Sequence, residues 1–103
     1  MPAVKVPIKF IVDGEFVVPE EGFPYVETSL GRVDRARIMG RVVSKFVNED
    51  RTYGSIVVDD ETSTIRVKFF GDDVEKMEKI ELGDLVDIVG RVRMFQEEVH
   101  LVA

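Results

Sequence analysis

STIRVKFF, residues 63–70, alternates without a break: Ile65, Val67 and Phe69 point one way, Arg66, Lys68 and Phe70 the other. A period of two places successive side chains on opposite faces of a sheet. The segment therefore predicts a strand with an apolar inner face and an outer face of two cations and a ring. Upstream, TYGSIVVDD (52–60) predicts a second strand with Ile56 and Val58 inward and Tyr53, Ser55 and Val57 outward, and Asp59-Asp60-Glu61 makes the turn between the two. Before the polar loop NEDRT (48–52), VDRARIMGRVVSKFV (33–47) predicts a long first strand. It has Ala36, Ile38, Val42 and Phe46 inward and Arg35, Arg37, Arg41 and Lys45 outward, with Gly40 at the bend a small barrel requires.

Beyond Gly71 the period changes. DDVEKMEKI (72–80) carries Val74, Met77 and Ile80 at helical spacing, with Asp72 as N-cap and Glu75 three residues on, and predicts a short helix. LGD (82–84) turns the chain into DLVDIVGRVRMF (84–95). This fourth strand has Val86, Ile88, Val92 and Met94 inward, Asp87, Arg91, Arg93 and Phe95 outward, and a bend at Gly90. QEE (96–98) leads into a last strand, VHLVA. Three strands, a helix and two strands is the order of an all-β, five-stranded Greek-key OB-fold barrel with its helix between strands 3 and 4. The rival SH3-like barrel normally lacks a capped helix there. Residues 33–103 form this domain. Residues 1–32 hold all four prolines (Pro2, Pro7, Pro19 and Pro24) and read as an extended N-terminal arm with at most short strands.

A chain of 103 residues has room for one core. Its apolar runs are too short to span a membrane, and no secretory signal opens it, so an intracellular address is expected. Cysteine is absent and His100 is the single histidine, which removes disulfides, thiolate metal sites and most zinc or Ser-His chemistry. His100 itself reads as an ordinary half-buried side chain. Asp59-Asp60-Glu61 and Asp72-Asp73 read as a turn and a helix start rather than paired catalytic carboxylates or a cation site. With no phosphate loop and no nucleophile elbow, the sequence predicts a binding module, not an enzyme, with no cofactor, no metal and no small-molecule substrate. The wealth of Glu, Lys, Arg and Val, with Asn48 and Gln96 the only side-chain amides, matches a heat-adapted protein from a thermophile.

The outward set Tyr53, Arg66, Lys68, Phe70, Arg91, Arg93 and Phe95 suits single-stranded nucleic acid, since rings stack on bases and cations meet phosphates. Outward Arg and Lys also solvate a sheet, and the two phenylalanines could pack beneath a partner protein. A net charge of −6 argues against strong binding by the isolated domain, but a short cationic stripe acts locally once salt screens distant charge.

From Arg35 to Leu101 the chain resembles the OB domain of the middle subunit of replication protein A, the heterotrimeric single-stranded-DNA-binding protein of archaea and eukaryotes. ARIMGRVV, YGSIVVDDETSTIRVKFF and GDLVDIVGRVRMFQ carry the likeness, and PIKFIVDGEFV is similar to the arm of archaeal relatives. The resemblance implies a subunit acting in DNA replication, repair and recombination, with Phe70 and Phe95 at the family's two base-stacking positions. It implies the other replication protein A subunits as partners. The small subunit, whose barrel serves assembly, fits the length as well, and an RNA-directed OB domain is a further alternative. Family members continue from the barrel into an assembly helix. The sequence stops at Ala103, so a stable heterotrimer is not expected from this chain.

Overall fold

The computed structural model describes residues 3–103; Met1 and Pro2 of the arm lie outside the described residues. In chain order the elements are β1 (Val4–Lys5), α1 (Ile8–Asp13), β2 (Glu15–Val17), β3 (Tyr25–Thr28), β4 (Gly31–Val33), β5 (Arg35–Val47), β6 (Tyr53–Asp59), β7 (Thr64–Phe70), α2 (Asp73–Glu78), β8 (Leu85–Phe95) and β9 (Glu98–Val102). Strands β5 to β9 form the barrel in the order β5-β6-β7-β9-β8, and β8 pairs back to β5 to close it. This is the Greek-key OB arrangement, with α2 between its third and fourth strands.

One strand serves both sides of the closure. The first half of β5 pairs with β8, from Arg35 beside Arg91 to Arg41 beside Leu85, and the second half pairs with β6, from Arg41 beside Asp59 to Val47 beside Gly54. At the crossover Gly40 packs so close to β6 that a Cβ there would lie 2.5 Å from the Asp59 carbonyl oxygen. Immediately beyond, the register shifts between Val42 and Ser44. A bulge inserts one residue and so inverts the faces that follow it. Phe46, expected inward with Ala36, Ile38 and Val42, is therefore outward and 53% exposed, while those three are buried. Lys45 swings towards the barrel end, where its Nζ donates to the carbonyls of Glu78 and Ile80 (3.0 and 2.7 Å).

The core is otherwise close to the predicted one: Ile56, Val58, Ile65, Val67, Phe69 and Val92 are buried and Val86 and Ile88 partly so, with Val74 and Met77 of α2 beneath them and Leu101 of the last strand added. Met94 departs from expectation at 41% exposed, because β8 is by then running out of the barrel into its hairpin. The capping box is absent too. Asp72 holds the N-cap position in helical geometry (φ −64°, ψ −21°) and makes no side-chain cap bond.

The largest difference lies in the arm. It contains a helix, and its apolar residues enter the core: Val6, Ile8, Ile11 and Val26 are all buried, next to Val33 at the start of the barrel domain. β1 adds to β5 in parallel, and β2, β3 and β4 form a small antiparallel sheet against the barrel. Pro7 starts α1, where its missing N–H costs nothing. The following N–H of Ile8 is met from a distance by the Asp60 carboxylate (2.8 Å).

Candidate nucleic-acid interface

Cross-strand register decides which side chains share the outer face. Lys68 stands beside Ser55 on β6 and Val102 on β9; Ser55 in turn stands beside Phe46, and Val102 beside Arg91. One row thus runs Phe46, Ser55, Lys68, Val102, Arg91. The row on one side holds Val57, Arg66, His100 and Arg93, and on the other side Tyr53 stands beside Phe70.

On this frame three rings form a continuous tilted series: Tyr53 lies 5.2 Å from Phe70 and 6.1 Å from Phe46, centroid to centroid. The fourth ring, Phe95, comes from the end of β8. It is delivered by a two-residue turn in which both Gln96 and Glu97 have positive φ, the backbone sign tight hairpins adopt. The Lys68 ammonium sits 5.0 Å from the centre of that ring. Between the rings is an open cleft of about 330 Å³ lined by Phe46, Tyr53, Ser55, Lys68, Phe95 and Glu98 among others. Its lining suits a base held between flat faces with a phosphate near a cation.

The predicted set is gathered in part. Tyr53, Arg66, Lys68, Phe70 and Phe95 converge on the cleft and its rim. Arg66 is engaged, its Nε donating to Glu98 Oε1 at 3.0 Å. Arg93 flanks the floor on β8 and donates to the carbonyl of Val92 (2.7 Å). Arg91 stands apart at the far end of its row, with its guanidinium 4.5 Å above the ring of Phe23. Sequence reasoning missed Phe46, which the bulge turns outward. The one signal for it was the adjacent pair Val42-Val43, which breaks the alternation.

It also misjudged the floor. Ser55 faces the groove yet is 2% exposed beneath its neighbours, and His100, expected half-buried, is 5% exposed. Nδ1 of His100 is a buried polar atom without a hydrogen-bond partner among the described residues. Burial holds this imidazole below its ordinary pKa, helped by the positive charges of Lys68 and Arg93 and opposed by the carbonyl and carboxylate of Glu98.

The acidic clusters are occupied with structure. Asp60 Oδ1 accepts the N–H groups of Thr62 and Ser63 (2.9 and 3.2 Å), Asp59 accepts that of Glu61 (2.7 Å), and Asp73 pairs with Lys76 at 3.7 Å. No helix among the described residues is long and apolar enough to cross a membrane.

Residues 36–103 match the family model of the OB-fold nucleic acid binding domain. The chain belongs to this family. No curated protein matches the sequence at a significant level. Among solved structures, the chain is similar to a chain of a replication protein A heterotrimer bound to single-stranded DNA (TM-score 0.77, 19% identity), covering 99% of this chain and 76% of that one. It is also similar to a chain of the Schizosaccharomyces pombe Stn1–Ten1 complex (0.67, 20%), with 77% of this chain covered and only 60% of the length of that one. A third is the second OB-fold domain of replication protein A from Methanococcus maripaludis (0.51, 20%), with 65% and 74% covered. At such identities the likeness is one of fold.

Proposed function

We propose that this OB-fold domain binds single-stranded DNA across the outer face of β6, β7 and β9, as a subunit of a replication protein A-like complex acting in replication, repair and recombination. The observation that carries this reading is the ring series Phe46, Tyr53 and Phe70 facing Phe95 across a cleft, with Lys68 set on the fourth ring. Base stacking accepts any sequence because every base offers a flat face. Ser55 and His100 form the floor, the four rings form the platforms, and Lys68, Arg66 and Arg93 meet the phosphates. The likeness to a replication protein A chain supports the choice of complex, since it runs over 99% of this chain and takes in the N-terminal segment.

A second surface favours partner subunits. Met39, Val43 and Leu85 are exposed together in a recess between β5, β8 and the β6–β7 turn that Arg41, Asp59, Asp60 and Glu61 also line, and exposed apolar groups with a polar rim suit protein contact.

Titration of labelled oligonucleotides tests the groove. Phe70→Ala and Phe95→Ala should each weaken binding by about 1–3 kcal/mol, the usual cost of losing one stacking platform, with folding intact because both rings are exposed. Unchanged affinity after both replacements, with pairing to a partner subunit lost instead, would assign this face to protein.

A further inference from the structure

Phe23 lies between β2 and β3, outside the barrel. The residue is 53% exposed, as much as Phe46 of the groove. One face of the ring is covered by the Arg91 guanidinium at 4.5 Å, and Arg91 closes the row that begins at Phe46 and passes through Ser55, Lys68 and Val102. Strands lie about 4.8 Å apart, so Arg91 stands about 10 Å beyond Lys68 across β9, in line with the cleft. Phe23 and Arg91 also share a small recess with Arg35 and Asp34, so two cations and one carboxylate border the ring.

We propose that Phe23 is a further stacking platform for single-stranded nucleic acid, and that the N-terminal segment thereby extends the binding path past β8. The inference rests on the groove reading above. A base stacks on the open face of the ring, Arg91 holds the other face, and the phosphate preceding that base meets the guanidinium edge. This gives Arg91 the role its distance from the central cleft otherwise denies it. A guanidinium stacked on a ring keeps its N–H groups at the periphery, free to donate to an anion.

The path makes the contribution depend on ligand length. Labelled oligo-dT of about 4, 8 and 12 nucleotides, within the range a single OB fold accommodates, is titrated at low salt into the full chain and its Phe23→Ala, Phe23→Leu and Phe23→Tyr variants. The shortest oligonucleotide should bind all four proteins alike. The longest should bind the Ala and Leu variants roughly tenfold more weakly, while Tyr retains the affinity because it keeps the ring. Leu preserves apolar bulk, so equal losses with Ala and Leu separate stacking from packing of the segment. Binding by the unchanged protein with no effect of Phe23→Ala at any length overturns the extension and leaves the groove standing. An equal loss at every length also overturns it. Failure of the unchanged protein to bind any of the three overturns the groove reading and the extension with it.

Discussion

Phe46 stands on the outer face because one inserted residue near Val43 reverses the side-chain alternation, and that reversal supplies the first ring of the series. Phe46→Ala should weaken oligonucleotide binding by about 1 kcal/mol and leave the unfolding midpoint nearly unchanged, since the ring is half in solvent. The alternation of residues 63–70 made Arg66, Lys68 and Phe70 readable without a structure. No periodic rule reports that Ser55 and His100 are roofed over by their own neighbours. For His100 the consequence is a pH dependence. Its imidazole titrates near 6.5 when unfolded and lower when folded, so between those values the unfolded chain binds more protons. Stability therefore rises with pH through that window and is lost as pH falls from about 6.5 towards the lowered value. Urea unfolding at pH 7 and pH 5.5 should show a larger loss for the natural protein than for His100→Gln. An equal loss would mean that His100 titrates normally in the fold.

At the scale of elements, β5 is legible as a strand but its bulge is not, because Val42-Val43 reads equally as two buried residues or as a shift of register. The expectation of a bend at Gly40 has a physical counterpart in the approach of the Asp59 carbonyl. Gly40→Ala should cost about 1–3 kcal/mol, the range for forcing atoms into a packed site, and urea denaturation measures it. Helix α1 was not legible for a different reason. Six residues give less than two turns, too few for a period, and what fixes its start is a carboxylate 52 residues away. Partial burial raises the Asp60 carboxyl, but the bonds it accepts from Ile8, Thr62 and Ser63 outweigh this and hold its pKa below the usual carboxylate value. Asp60→Ala should destabilise the fold by about 2 kcal/mol at pH 7, typical of hydrogen bonds to a charged group. For a depressed carboxylate the contribution is present above the ordinary value and disappears as pH falls through the folded one. The gap between variant and natural protein should accordingly close below about pH 4.

For the whole molecule, the balance of charge sets the strength and salt dependence of binding. The chain carries −6 overall, and the cations that reach the groove are few: Lys68, Arg93, Arg91 at the margin, and Arg66 held by Glu98. About three phosphate contacts imply a slope of log affinity against log salt near −2, since single strands release about 0.7 counterions per contact. Arg93→Ala should flatten that slope by one contact at most. Glu98 has the opposite effect, because it occupies Arg66 at 3.0 Å and places a carboxylate where the polyanion must lie. Glu98→Gln removes that charge and releases the guanidinium. An exposed ion pair is worth about 0.2–1 kcal/mol, so affinity at low salt should rise by a factor of about 1.4 to 5, and the salt slope should steepen by about one contact. In the double variant Arg66→Ala, Glu98→Gln the steepening should vanish, because the phosphate has lost the cation that the first change set free. If Glu98→Gln alone leaves both affinity and slope unchanged, Arg66 makes no phosphate contact, and the cations that bind DNA are confined to Lys68 and the β8 arginines.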